Sequence, residues 1–438
     1  MTANENAPDL RPALAPAWEP SGGMPALKIT DVKAVCTAPD GIRLVVVKIE
    51  TSEPGLYGLG CGTFTQRPLT VVTAVEQYLK PFLVGRDPND IEDIWQASFV
   101  SSYWRSGPVL NNAMSGVDQA LWDIKGKRAG MPVYQLLGGK VRRAADVYVH
   151  ANGRDFQQLE ERVRAYMAQG YRYIRCQVEV AGYSTYGTGG SMIAPKGAEP
   201  QPSYRLATEQ RPWEPRPYCR LVPRMFEHIR GAVGDEIELL HDVHERIPPI
   251  MAIDLAKDLE QFKLFFLEDI FAPEDNDYFR ILRQQSSVPL AMGELYVNQH
   301  EYVPLIRDRL IDFIRVHISD IGGLTPARKL AALCEYFGVR TAWHGPGDVS
   351  PVGHAANLQL DLSAYNFGIQ EAHLFGERTR EVFPGCPEIR EGAMWSNERP
   401  GLGIDVDEAL AAKYPFPEHP INGAWPEIRR ADGTVIRP

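Results

Sequence analysis

Three carboxylates recur at an even spacing in the middle of the chain. Asp242 ends the run IELLHD, Glu268 ends KLFFLE and Glu294 ends VPLAMGE, so 26 residues separate each from the next. Buried carboxylates need a counter-charge. Mg²⁺ prefers oxygen ligands and leaves positions open for water or substrate, and no His and Cys cluster suited to Zn²⁺ is present. The spacing therefore predicts a Mg²⁺ site, with three salt-bridged carboxylates as the structural alternative.

Two histidines near these carboxylates suggest proton transfer. Side chains alternate along a strand, so His244 is expected on the same face as Asp242, and Asp269 on the face opposite Glu268. His344 follows on the far side of the three carboxylates in strand order. A cation beside Arg and His suits removal of a proton next to a carboxylate, because it stabilises the charge that develops. Hydrogen-bonded barrel histidines are the alternative interpretation.

A scaffold must bring these residues together at the ends of strands, and strand and helix candidates alternate along the chain. Eight apolar strand candidates begin near residues 145, 171, 237, 263, 288, 312, 339 and 367, with amphipathic segments between most of them. This pattern predicts an α/β fold containing a (β/α)₈-type barrel. A doubly wound open sheet is the rival, but the GxGxxG that it would want near its start is absent. The polar residues carried by successive candidates are His150, Arg175 and Gln177, Asp242 and His244, Glu268, Glu294, Arg315 and His317, His344, and Glu371.

The remaining segments suggest the domain organisation. Residues 1–26 are rich in Pro and Ala and predict a disordered N-terminal extension. Residues 27–140 predict an α+β domain that begins with three strands. The barrel is expected over 141–378, with a lid-like insertion at 181–218 that is rich in Gly and Pro. Residues 379–438 are expected to pack back on the first domain.

Composition narrows the class of partner. The 438 residues carry a net charge of −10, which argues against nucleic acid or an anionic membrane as a partner. No uninterrupted apolar run is long enough for a membrane span. The six cysteines show no CxxC pair, so we expect reduced thiols and a cytoplasmic protein that acts on a small molecule.

The chain resembles the D-mannonate dehydratase group, also called the D-galactonate dehydratase family, of the enolase superfamily, whose members are similar to mandelate racemase and muconate lactonizing enzyme. The matching stretches run over residues 27 to about 415. They are IEDIW, YWRSGP, ALWDIKGK, MPVYQLLGG, HANG, LHD, LED, GE, IGGLTPARK, WHGPGDVSPV and NFGIQE.

The resemblance implies a capping domain built from the N-terminal segment and the C-terminal tail. It implies one Mg²⁺ per subunit on Asp242, Glu268 and Glu294, and a homo-oligomer. It also implies loss of the C2 proton and the C3 hydroxyl of an acid sugar, to give a 2-keto-3-deoxy acid. The substrate contacts implied are His150, Glu294, Arg315, His344, Asp348 and Glu371.

The resemblance further implies Tyr186 as the base, polarised by Arg175, and His244 as the acid for the leaving hydroxyl. The Arg-to-Tyr interval is one residue shorter here, so Tyr183 competes with Tyr186. Thr65 or Gln66 stands where mannonate enzymes of the group carry a substrate-binding Asn, and Pro346 stands where efficient ones carry Ala.

These departures leave two functions open. The first is a dehydratase for a six-carbon aldonate such as gluconate, mannonate or a stereoisomer. The second is a divergent member with an intact metal site and little or no mannonate turnover, which has an acid-sugar binding or regulatory role or acts on an unidentified acid. The second strand candidate has no Lys-x-Lys, which disfavours racemase or cycloisomerase chemistry.

Overall fold

The N-terminal part of the molecule is a three-stranded antiparallel sheet covered by helices. A computed structural model describes residues 25–180, 212–417 and 428–437. The strands are β1 (Ile29–Thr37), β2 (Leu44–Thr51) and β3 (Tyr57–Cys61), in the order β1-β2-β3. Gly60 allows the long helix Pro108–Arg128 to press against β3, because a Cβ at Gly60 would lie 2.0 Å from the carbonyl oxygen of Gly116. We call residues 25–138 the cap.

Eight parallel strands then close into a barrel. From the first strand to the seventh each pairs with the next, and the eighth pairs with the first. An isolated bridge between Thr341 and Phe367 closes the ring between the seventh strand and the segment before the eighth. The strands are β4 (Ala145–Gly153), β5 (Tyr173–Val178), β6 (Glu238–Asp242), β7 (Phe266–Glu268), β8 (Leu290–Met292), β9 (Phe313–Ile314), β10 (Arg340–Thr341) and β11 (Gln370–Glu371).

Helices surround the barrel and cover the sheet of the cap. Their apolar faces are buried against the strands, as the amphipathic segments predict. In the cap they are Pro68–Thr73, a π-helical turn Ala74–Leu79, Lys80–Leu83, Ile91–Ser101, Pro108–Arg128 and Val133–Leu136. Around the barrel they are Phe156–Ala168, Pro215–Val233, Pro249–Leu259, Tyr278–Gln285, Gln299–Arg307, Leu324–Phe337 and Pro351–Ser363, with 3-10 turns Glu260–Phe262 and Pro273–Asp275.

The C-terminal segment contacts both the cap and the barrel, where residues 393–394 pair antiparallel with β4. Its described elements are the helices Glu377–Val382 and Glu408–Ala411 and the hairpins β12 (Glu388–Arg390) with β13 (Ala393–Trp395) and β14 (Ile428–Arg429) with β15 (Val435–Ile436). The hydroxyl of Tyr57 donates to Asp405 at 2.7 Å, and Lys48 forms an ion pair with Glu408 at 2.7 Å. These contacts join the segment to β2 and β3.

The predicted fold class is confirmed, as an α/β barrel preceded by a capping domain. Most of the predicted N-terminal extension and of the lid-like insertion lies outside the described residues. None of the helices among the described residues is long and apolar enough to cross a membrane. All six cysteines lie within the described ranges, and each is a free thiol.

Candidate active site

The inner surface of the barrel consists of an apolar layer below a charged layer. On each strand the inward side chain of the lower layer is followed two residues later by a residue at the mouth, because side chains alternate. The lower layer contains Tyr148, Leu240, Phe266, Ala291, Phe313, Ala342 and Ile369, with Tyr173 packed against it. Two residues further on stand His150, Asp242, Glu268, Gly293, Arg315, His344, Glu371 and Arg175.

Arg175 holds the carboxylates of the first strands of this ring. Its Nη1 lies 3.0 Å from Asp242 Oδ2 and 3.0 Å from Glu268 Oε1. Its Nη2 lies 3.1 Å from His150 Nδ1, and His150 Nε2 in turn lies 2.8 Å from Glu371 Oε1. One guanidinium therefore connects three of the predicted site residues.

Arg315 is the second cation of the ring and is fully buried. Its Nη2 lies 2.8 Å from Glu268 Oε1 and 2.5 Å from Glu371 Oε2, and its Nη1 lies 3.0 Å from Glu294 Oε2. Its Nε donates to the hydroxyl of Tyr148, which itself donates to Glu268 at 3.0 Å. Arg315 therefore joins the carboxylates of the charged layer to Tyr148 in the layer below.

Glu294 departs from the geometry of the other two predicted metal ligands. Gly293 follows β8 at the next inward position and has a φ of +136°, a conformation that L side chains rarely adopt. The carboxylate therefore comes from the next residue, in the loop. Asp242 and Glu268 form a close group with Asp269, whose ligand atoms lie within 4.8 Å of one another. Glu294 contacts Arg315 and, at 3.5 Å, His344 Nδ1.

The prediction that the side chain of Asp269 faces away from the site is wrong. Its φ is +41°, which breaks strand alternation immediately after β7. One carboxylate oxygen accepts a hydrogen bond from the backbone of Gly293 at 3.0 Å, and the other lies 3.0 Å from Arg315 Nη1. Asp269 is thus a fifth carboxylate of the charged layer, beside Asp242, Glu268, Glu294 and Glu371.

Burial and the neighbouring charges shift the pKa values of these carboxylates in different directions. Burial raises the pKa of Glu268 to about 8 and that of Asp242 to about 6, despite the nearby arginines. Burial also opposes ionisation of Glu294, but the charges of His344 and Arg315 outweigh it and lower its pKa to about 2. Burial disfavours the imidazolium of His344, yet Glu294 and Glu371 hold its pKa well above the ordinary value. Burial likewise raises the pKa of Asp269 to about 7, so Asp242, Glu268 and Asp269 would gain most from an added cation.

His244 lies at the edge of this layer, beyond the last residue of β6. Its backbone is left-handed, with a φ of +54°, and its N–H donates to Asp242 Oδ1 at 2.7 Å. The side chain lines a small cavity together with Glu245, Asp269, Phe271 and Glu294. The loop conformation, not strand alternation, places His244 beside the carboxylates.

The other predicted residues lie around the ring or beyond the described chain. Asp348 Oδ1 is 3.4 Å from His344 Nε2, and its side chain is 30% exposed. Thr65 follows β3 in the cap and donates to Gln66; among the described residues no hydrogen bond joins it to the barrel. Tyr183 and Tyr186 lie outside the described residues, so the choice of base stays a prediction.

Tyr148 and Asp269 are members of the charged network that the sequence analysis did not select. Tyr148 precedes His150 by two residues and could have been placed in the barrel from alternation. No local sequence pattern indicates its contact with Glu268 across the barrel. No local sequence pattern indicates the left-handed backbone of Asp269 either.

Comparisons with known proteins agree with this architecture. The family model described as mandelate racemase / muconate lactonizing enzyme, N-terminal domain, matches residues 26–138, and the enolase C-terminal domain-like model matches residues 158–410. A D-galactonate dehydratase family member of Salmonella enteritidis PT4 is 56% identical over 421 residues, which cover 94% of this chain and 99% of the relative. One of a Streptomyces strain is 49% identical over 441 residues, covering 100% and 98%.

Two solved structures show the same fold. An enolase from Pantoea ananatis, with bound D-gluconate and Mg, has a TM-score of 0.87 and 55% identity, covering 94% of this chain and 100% of that one. A member of the enolase superfamily from Salmonella Typhimurium has a TM-score of 0.75 and 25% identity, covering 89% and 98%. With both family models matched and close relatives aligned over nearly its whole length, the chain belongs to the D-galactonate dehydratase family of the enolase superfamily.

Proposed function

We propose that the protein is a Mg²⁺-dependent acid-sugar dehydratase, a hydro-lyase acting on a six-carbon aldonate such as gluconate, mannonate or a stereoisomer. The observation that carries this proposal is the ring of buried carboxylates, arginines and histidines at the mouth of the barrel. Family membership and the D-gluconate and Mg bound to the Pantoea ananatis enzyme support it.

The charge of the ring fits one divalent cation. Five carboxylates contact the two guanidiniums, and the imidazolium of His344 adds one positive charge. With all five carboxylates ionised, as metal ligation would favour, two negative charges remain. Carboxylate oxygens are the ligands that Mg²⁺ prefers. Asp242, Glu268 and Glu294 would hold the ion. When bound, it supplies positive charge beside the substrate carboxylate, where negative charge develops as the C2 proton leaves.

His244 would protonate the departing C3 hydroxyl, since hydroxide is a poor leaving group without a proton. Its place at the cavity edge, next to Asp242 and Glu294, supports this role. The proton at C2 would go to Tyr186 or Tyr183. Arg175 would orient that phenol and favour its ionised form while it holds Asp242.

The remaining polar residues would hold the sugar chain. His150, His344 and Glu371 form a connected group in which His344 Nδ1 is 3.3 Å from Glu371 Oε2. Asp348 is the most exposed of the set and lies toward the opening, where it can accept a hydrogen bond from a hydroxyl. Arg315 and Glu294 would complete the set, and Thr65 would face the substrate from the cap.

The test is formation of a 2-keto-3-deoxy acid, detected with semicarbazide, from each six-carbon aldonate in the presence of Mg²⁺. We expect at least one aldonate to be turned over, His244→Asn to abolish that turnover, and EDTA to stop it. His228→Asn is the matched control, because His228 is a surface histidine paired with Glu160 and should keep full activity. Thermal stabilisation by an aldonate without turnover would refute the dehydratase and favour the acid-sugar binder.

A further inference from the structure

His317 is a buried histidine that the proposed reaction does not use. It follows β9 at the mouth of the barrel and is 5% exposed. Its ring centroid lies 5.2 Å from that of His344, and a ring nitrogen lies within 4.8 Å of ligand atoms of His344 and Asp348. It therefore adjoins two residues proposed to bind substrate.

The structure fixes which ring nitrogen of His317 carries the proton. The backbone N–H of Ser319 donates to Nδ1 at 3.1 Å, and a backbone N–H can only donate, so Nδ1 offers its lone pair. Burial lowers the pKa of His317, which favours the neutral ring. A neutral ring that accepts at Nδ1 carries its hydrogen on Nε2.

The cap holds this arrangement in place. Ser319 is fully buried, and its hydroxyl donates to the backbone oxygen of Cys61 in the cap at 3.2 Å. The hydroxyl of Ser115, on the long cap helix, donates to the same oxygen at 2.9 Å. Ser319 is thus tied to the cap, and the tautomer of His317 depends on contacts between the two domains.

The Nε2–H of His317 is a donor that is available to a ligand. Within the described parts of the chain, the hydrogen bond at Nδ1 is the only one its ring makes. Asp348 beside it is an acceptor, because the charge of His344 outweighs burial and lowers the pKa of that carboxyl. A donor next to an acceptor matches one hydroxyl group, which can accept from the first and donate to the second.

We infer that His317 Nε2–H donates to a hydroxyl of the substrate chain, that this hydroxyl donates to Asp348, and that the pair selects the configuration at that carbon. This inference rests on the proposed function, because it takes the ligand to be an aldonate. Asp348 lies 3.4 Å from His344, and we assign the hydroxyl to a carbon other than the reacting C2 and C3.

Two variants separate recognition from structure. His317→Asn places an amide oxygen near Nδ1, which can still accept from Ser319, but it has no donor at the position of Nε2. His317→Gln extends an amide N–H to about that position. The readouts are kcat and KM for D-gluconate and its epimers, D-gluconate binding by calorimetry in Mg²⁺, and the unfolding temperature.

We expect His317→Asn to weaken D-gluconate binding and raise KM about tenfold, the factor that one lost hydrogen bond to a ligand hydroxyl produces. Its preference between epimers at one carbon should fall by a similar factor, with the unfolding temperature unchanged. His317→Gln should recover most of both losses. His228→Gln is the surface control and should behave as the unmodified protein.

Unchanged binding and epimer preference in His317→Asn, with turnover intact, would overturn the role of His317 and leave the dehydratase proposal standing. If aldonates bind without turnover, the dehydratase proposal fails, and the binding ratio of the two variants still decides the role of His317. Failure of every aldonate to bind the unmodified protein would overturn both. If His317→Asn does not fold, the epimer preference of His317→Gln and Asp348→Asn decides: a fall at the same single carbon in Asp348→Asn, with the preference kept in His317→Gln, supports the pair, and an unchanged preference in Asp348→Asn contradicts it.

Discussion

The two layers inside the barrel come from the same strands, yet burying them has opposite effects on the free energy of folding. The lower layer contains aromatic and aliphatic side chains such as Phe266 and Phe313, whose rings lie 5.2 Å apart. Burying them stabilises the fold. The upper layer buries five carboxylates against two guanidiniums, and this arrangement costs desolvation free energy. Two residues along a strand separate the part that stabilises the barrel from the part that can do chemistry.

The largest effect should come from a change in the upper layer that keeps its shape. Glu268→Gln removes one predicted Mg²⁺ ligand and a partner of both arginines, so turnover should fall about 10³-fold or more, because electrostatic stabilisation of this kind contributes several kcal/mol. The unfolding temperature should change little, since burial already raises the pKa of Glu268 to about 8. Keto-acid formation and thermal unfolding measure the two effects. Activity of Glu268→Gln within tenfold of the unmodified protein would contradict the assignment of Glu268 as a Mg²⁺ ligand.

The matching change in the lower layer should have the inverse outcome. Phe266→Ala leaves a cavity beneath Glu268 and should lower the free energy of unfolding by about 3–5 kcal/mol. Turnover per folded molecule should fall far less than in Glu268→Gln. Urea unfolding measures the loss, and Phe266→Leu is the control that keeps most of the volume. Full stability in Phe266→Ala would show that this layer does not support the barrel.

Glu294 and Asp269, the two carboxylates that do not follow strand alternation, can be compared as Mg²⁺ ligands. Glu294→Gln should remove a direct Mg²⁺ ligand and lower turnover by no more than Glu268→Gln does. Asp269→Asn should weaken Mg²⁺ binding by about 10–100-fold, because Asp269 contacts the backbone of Gly293 and Arg315 and so acts on the metal through them. Calorimetric Mg²⁺ titration separates these cases. Stronger loss of binding in Asp269→Asn than in Glu294→Gln would make Asp269 the ligand.

The smallest effect is expected where the cap meets the barrel, outside both layers. Trp122 Nε1 donates to the hydroxyl of Thr325 at 2.9 Å. Trp122→Phe should lower the free energy of unfolding by about 0.5–1.5 kcal/mol, as for one hydrogen bond, plus the loss of ring contacts. Turnover should stay within twofold. A tenfold loss of turnover would show that cap attachment controls the site.

Sequence alone predicted the barrel and most of the ring, because strand periodicity fixes both. Asp242 and Glu268 are regular inward residues at strand ends, and their place follows from alternation. The exact position of Glu294 and the inward turn of Asp269 depend on left-handed backbone at Gly293 and Asp269, which periodicity does not report. The contact of Ser319 with Cys61 depends on packing between the two domains, which no local pattern encodes.

The central claim is that three carboxylates at the mouth of the barrel bind one divalent cation. Mn²⁺ can replace Mg²⁺ at oxygen sites and gives an anomalous X-ray signal. In crystals soaked in Mn²⁺ and D-gluconate, we predict one anomalous peak in contact with oxygens of Asp242, Glu268 and Glu294 and with the ligand. An occupied ligand site with no peak between these carboxylates would contradict the account.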